Sequence, residues 1–192
     1  PYPATAYLKG FLNTKNIQSV QADLGIEVIL KMFSKEGLIN LFSEISKNTK
    51  ELSENAERIL AFKEEYISTI DAVILFLQGK NPTLSHLICQ ENFLPEAARF
   101  EQLKELDWAF GIMGNQDKAK HLATLYIEDI SDLIVECVDE HFGFSRYAER
   151  LGMSANSFDE IYASLQKELT YIDKIFLEIL ANRMEVVQPQ MV

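Results

Sequence analysis

Apolar residues recur along most of this chain at intervals of three and four, the spacing that gathers them on one side of an α-helix. Residues 4–13 predict a short amphipathic helix, with Pro3 in its first turn, where a missing N–H is no loss. Asn13 to Asn16 breaks it. Ile17 to Leu24 then alternates apolar and polar with period two, which predicts a strand ending in Asp23-Leu24. After Gly25 the helical spacing returns, over Ile26 to Phe33 and Leu38 to Ile45, with Gly37 as the expected break. Leu52 to Gln78 has the strongest helical pattern, on Ala56, Ile59, Tyr66, Ile67, Ile70, Val73, Ile74 and Leu77, with Lys63 as a polar intruder.

Gly79-Lys80-Asn81-Pro82 ends that helix, and residues 83–93 predict a short helix and a loop. Pro95 opens another helix, expected to run through Phe110. Gly114-Asn115 is a turn whose Asn115 can cap the next helix, Asp117 to about His141. That helix is apolar on more than one side, so we expect it at the centre. Phe142 to Ser154 reads as irregular or partly helical. Ser157-Phe158-Asp159-Glu160 has the form of a capping box, starting a helix with Ile161, Leu165, Leu169, Ile172, Phe176 and Leu180 on one face. The tail leaves it through Pro189. The expected fold class is mainly α: a helical bundle with one or two short strands left from a truncated Rossmann-like βαβ unit. Helix, turn and strand at the start, and Gln188-Pro189-Gln190-Met191-Val192 reading as the onset of a strand, predict a fragment of a longer protein.

Composition supports a globular chain: 192 residues, 47% hydrophobic and 24% charged, with 8 Gly and 5 Pro, few enough for long helices. The net charge of −11 opposes binding to nucleic acid or to an anionic membrane surface, and no basic patch interleaved with aromatics offsets it. No apolar run reaches the ~20 residues of a membrane span. Cys89 and Cys137 are too few for a disulfide framework, and a reducing cytoplasm is the expected setting.

No motif of nucleophilic, phosphate-binding or zinc-ribbon chemistry is present. Thr83, Lys118 and Val138 stand three residues before His86, His121 and His141, so the Glu-x-x-His pairs of a di-iron bundle are missing. Cys137 and His141, four apart, could form half of a metal site; we read them as a buried thiol and a helix-end imidazole. Asp139-Glu140-His141-Phe142-Gly143 approaches the D-x-H-x-x-G signature of cobalt-ligating histidines. The glycine comes one residue early, Phe144 stands in its place, and the position is the end of a long helix, so we read it as helix-terminus chemistry. The acidic run Glu128, Asp129, Asp132, Glu136, Asp139 and Glu140 reads as a solvated helix side. Phe142 to Arg150 reads equally as a docking string or as a packed connector with Arg146 and Arg150 in surface pairs, and Trp108 and Phe110 as core. No catalytic, cofactor-binding or metal residue is assigned.

The string Pro1-Tyr2-Pro3-Ala4-Thr5-Ala6-Tyr7-Leu8-Lys9-Gly10-Phe11-Leu12, with Val20-Gln21-Ala22-Asp23-Leu24, resembles the amino-terminal, cobalamin-binding-like region of bacterial radical S-adenosylmethionine iron–sulfur oxidoreductases. Pro189-Gln190-Met191-Val192 resembles the step into that family's next strand. The resemblance covers about 35 residues on a weak helix–strand pattern. It implies a partial Rossmann-like segment at 1–24, a helical insertion over 25–170, and a helix leading into a truncated strand at 171–192. It further implies a parent enzyme with a [4Fe–4S] cluster and S-adenosylmethionine in a separate barrel. The cluster-binding C-x-x-x-C-x-x-C is absent from this chain, so neither cofactor is assigned to it, and cobalamin is not assigned either. The chain would then be a non-catalytic region covering or regulating the catalytic barrel of the same polypeptide, with a homodimer as a further possibility. The alternative is a self-contained acidic helical interaction or regulatory domain. A weaker third reading is a metal-dependent helical enzyme built on Cys137, His141 and nearby carboxylates.

Overall fold

The computed structural model describes residues 3–47, 51–102, 114–144 and 158–191. Their regular structure is helical: α1 Pro3–Thr14, α2 Leu24–Met32, α3 Lys35–Ile45, α4 Glu54–Ala61, α5 Lys63–Leu77 and α6 Leu84–Ile88. A 3₁₀ turn at Ala98–Gln102 follows, then α7 Asn115–Cys137, α8 Asp159–Leu165 and α9 Tyr171–Val187. The mainly α expectation therefore holds. Residues 17–23, expected as a strand, lie in no regular element, and Ile17 and Val20 are exposed. Alternation stabilises a strand only beside a partner strand, and none exists among the described residues. Asp23 instead caps α2, its carboxylate accepting from the Ile26 N–H.

Gly37 is not a helix break. The break is at Phe33-Ser34, where Ser34 accepts from the Gly37 N–H and so starts α3. Gly37 sits in the first turn of α3 because α2 ends hard against it. A Cβ there would fall on the Lys31 and Met32 carbonyl oxygens.

The helix expected from Leu52 to Gln78 is bent into α4 and α5 at Phe62, whose φ of −96° and ψ of 19° leave the helical region. The hydrogen bonds Phe62 N–H to Arg58 O and Tyr66 N–H to Phe62 O persist, so the chain turns without stopping. The bend accompanies the polar intruder. Ile59 and Tyr66 are fully buried, and Lys63 between them is turned out to solvent. Gly79, with φ of +71°, ends α5 as expected.

α7 is central, touching α4, α5, α6 and the 3₁₀ turn. Ala119 and Ala123, both fully buried and one turn apart, allow a close approach along the helix, while Tyr126, Ile130, Leu133 and Ile134 fill the middle of the core. The helix ends at Cys137, a turn earlier than expected, and Gly114, not Asn115, is its cap. Beyond it, Phe142 and Phe144 fold back onto Phe33, with ring centroids 6.4 and 5.5 Å away. This part of the aromatic string is a packed connector; Arg146 and Arg150 lie outside the described residues, as do Trp108, Phe110 and Ser157.

The last predicted helix is two helices. Thr170 and Asp173 form a reciprocal capping box that restarts the chain as α9. Its buried residues are Ile175 and Ile179, one position off the expected Phe176 and Leu180. α9 lies along α2, fastened by Arg183 to Glu27 at 2.8 and 3.0 Å and by Lys31 to Glu178 at 2.7 Å. These pairs run in opposite chain directions, so the two helices are antiparallel.

Candidate functional site

Asp129 organises the polar interior. It lies on α7 among apolar neighbours and is 0% exposed. Its two carboxylate oxygens accept from the Ala97 N–H at 3.2 Å and the Arg99 N–H at 3.1 Å. The carboxylate thus holds the start of the 3₁₀ turn against α7. Burial raises its pKa from 3.8 to about 6; the two backbone donors and Arg99 oppose the rise, and Asp132 adds to it. Arg99 then reaches back to α7, its Nε and Nη2 each 2.8 Å from Asp132, with Glu128 3.5 Å away.

Beside Asp129 lies a tyrosine pair, Tyr66 and Tyr126, with ring centroids 5.0 Å apart. The Tyr126 hydroxyl donates to the Tyr66 carbonyl at 2.9 Å and sits 3.0 Å from the Thr69 hydroxyl. The Tyr66 hydroxyl is buried and makes no full hydrogen bond. Burial, with a smaller contribution from the Asp129 carboxylate, holds its pKa well above the usual phenol value. Asp129 is near enough to act on it through its charge and through a weak hydrogen-bond contribution.

The wall that Asp129 anchors borders a cleft of about 360 Å³. Ile88, Leu94, Phe100 and Leu122 supply apolar lining. Cys89, Glu91, Glu96, Glu101 and Lys118 supply polar groups, of which Glu101 is held by Arg58 at 2.7 Å. An apolar lining with carboxylates suits a small apolar or cationic group. Among the described residues, no group of three or more His, Cys, Asp or Glu side chains is placed to hold a metal ion. No described helix is long and apolar enough to cross a membrane.

The acidic run is solvated in part: Asp129 is buried, and the others are half-exposed or exposed. Asp132 clasps Arg99, and Glu136 accepts from both the N–H and the hydroxyl of Ser53 at 2.7 and 2.6 Å, securing the cap of α4. Asp139 accepts from the His141 N–H, and Glu140 lies 3.4 Å from Lys167. Cys137 and His141 do not stack as half of a metal site, because α7 ends between them. Cys137 is buried, while His141 is exposed with its Nε2 3.5 Å from Glu140.

No family model, no curated protein and no solved structure matches this chain. The site is therefore argued from its own geometry.

Uncovered apolar helix faces are the second candidate feature. α1 buries nothing, and Tyr7, Leu8 and Phe11 on its apolar stripe are 79%, 61% and 60% exposed. Phe158, Tyr162 and Leu165, at helical spacing, form another exposed stripe at α8, and Leu169, in the non-helical stretch beyond it, is exposed as well. α9 adds Phe176, Leu177, Met184 and Val187 on the side away from Ile175 and Ile179. Scattered exposed apolar residues are ordinary, but stripes of this kind mark surfaces that another element covers. The sequence had shown the periodicity of all three helices; it could not show which stripes go uncovered.

Proposed function

We propose that this chain is a non-catalytic accessory region of a bacterial radical S-adenosylmethionine iron–sulfur oxidoreductase, covering or regulating the catalytic barrel of the same polypeptide in the cytoplasm. The observation that carries the docking role is the exposed row Phe158, Tyr162 and Leu165 at α8 with Leu169 after it, four large side chains each more than half exposed. Docking against the barrel would remove that surface from water. The amino-terminal resemblance names the partner. In this reading residues 17–23 are a strand of the truncated Rossmann-like unit, paired only in the longer protein, and the cluster and S-adenosylmethionine belong to the barrel. The coding sequence after Val192 tests it. The expected result is continuation in frame to a C-x-x-x-C-x-x-C motif; a stop codon at that point overturns the proposal.

A second reading, a self-contained acidic helical interaction or regulatory domain, is favoured by the core from α2 to α7. Its helix starts at Asp23, Ser34 and Ser53 are capped by side chains, and α7 is surrounded by packed helices. The intact mass of the native protein separates the two: a product near 21.9 kDa supports this reading, and a much larger one supports the first.

A further inference from the structure

α1 is an arm without a seat. Its stripe of Ala4, Tyr7, Leu8, Phe11 and Leu12 keeps helical spacing, yet nothing in the helix is buried. Gln21 Nε2 donates to Thr5 Oγ1 at 2.6 Å, a bond to the segment that follows the helix. α9 has the complementary defect. It buries Ile175 and Ile179 against the body but leaves a second apolar row, Leu177, Leu180, Met184 and Val187, spaced three, four and three apart. Leu180 is half-buried and the other three are exposed.

Charge and reach both join the two surfaces. Residues 1–22 carry Lys9 and Lys15 and no acid, so all 29 Asp and Glu residues of the chain lie in the body that follows. A cationic amphipathic arm is therefore attached to a strongly anionic body, and Asp173 is exposed at the start of the outer face of α9, which also carries Lys174 and Arg183. The Glu27–Arg183 contact places the start of α2, where the arm attaches, beside the C-terminal half of α9. Residues 17–23, fully extended, would span about 23 Å. In this chain the arm is nevertheless not packed on its own α9.

We propose that α1 of one copy lies on the outer apolar row of α9 of a second copy, and that the exchange is reciprocal, giving a two-fold dimer. A two-fold exchange repeats the contact, so each dimer buries two arms. With about seven large apolar side chains in each contact, the buried area is on the order of 1,200 Å² or more, within the range of stable interfaces. The surface is separate from the exposed Phe158–Leu169 side chains assigned to the barrel, so docking there can fail without the exchange; the exchange takes α1 and residues 17–23 as a free arm in place of a Rossmann-like helix and strand.

Light-scattering mass of the 192-residue protein, with Phe11→Asp and Met184→Asp as variants, tests the exchange. Both side chains are exposed, so neither change empties the core. Expected are a mass twice 21.9 kDa for the unaltered chain and a twofold lower mass for each variant, with helical circular dichroism unchanged. An equimolar mixture of the two variants should recover dimer, because one of the two arm–α9 contacts is then intact. A monomeric unaltered chain, a variant that remains dimeric, or a mixture that stays monomeric would each overturn the exchange. The last outcome would indicate α1 on α1 and α9 on α9, since mixing repairs neither contact.

Discussion

Replacing Asp129 by asparagine isolates the one buried carboxylate that ties the 3₁₀ turn to α7. The carboxylate has no exposed surface, and its pKa is about 6 in the folded chain against 3.8 for the free group. The folded state therefore binds this proton more tightly than the unfolded state. Stability from this group is fully present below pH 4 and is lost as pH rises through 6. At ~1.4 kcal/mol per pH unit between the two pKa values, the loss is about 3 kcal/mol. Asparagine keeps the shape and one acceptor but cannot titrate. Urea unfolding followed by circular dichroism, at half-unit steps from pH 4 to 7.5, gives the stability of both proteins. Subtracting one curve from the other removes the other titrating groups, which both share. The original chain should lose about 2.4 kcal/mol relative to Asp129→Asn between pH 4 and pH 7. A difference that stays flat across that range would refute the argument that burial dominates the carboxylate. A difference of the opposite slope would mean that the Ala97 and Arg99 donors outweigh burial.

Gly37→Ala should cost about 2 kcal/mol or more, seen as a lower thermal midpoint, because the added methyl meets backbone carbonyls that cannot swing aside. Tyr66→Phe removes a buried hydroxyl that makes no full hydrogen bond and interacts only weakly with Asp129, so unfolding free energy should change by less than about 1 kcal/mol. Tyr126→Phe removes a hydroxyl that does bond, to the Tyr66 carbonyl, and should lose about 1 kcal/mol in the same assay. Thr170→Ala breaks the capping box of α9 and should cost about 1 kcal/mol, with faster hydrogen exchange confined to the first turn of that helix.

Helical content was legible because periodicity depends on neighbours along the chain. α1, α2, α3, α6 and α7 appear close to where their apolar spacing places them. Expectations failed where a distant part of the chain decides. The alternation at 17–23 needs a partner strand. The bend at Phe62 depends on where Lys63 can reach solvent, and the one-residue shift of the buried face of α9 depends on α2. The Thr170–Asp173 box, by contrast, is a local signal with the acid in place of the usual Glu, and the spacing could have revealed it. Asp129 was the least legible residue of the site. In a row of acids on one helix nothing marks the member that faces inward, until the backbone of Ala97 and Arg99 supplies its donors.

The clasp between Glu27 and Arg183 joins residues 156 positions apart. During translation at roughly 5–20 residues per second, α2 emerges about 8–30 s before the helix that shields its flank. For that interval the growing polypeptide exposes a sticky edge at α2, which a ribosome-bound chaperone could engage. Native packing of α2 therefore waits for α9, and a product truncated before Arg183 would leave α2 unguarded against aggregation.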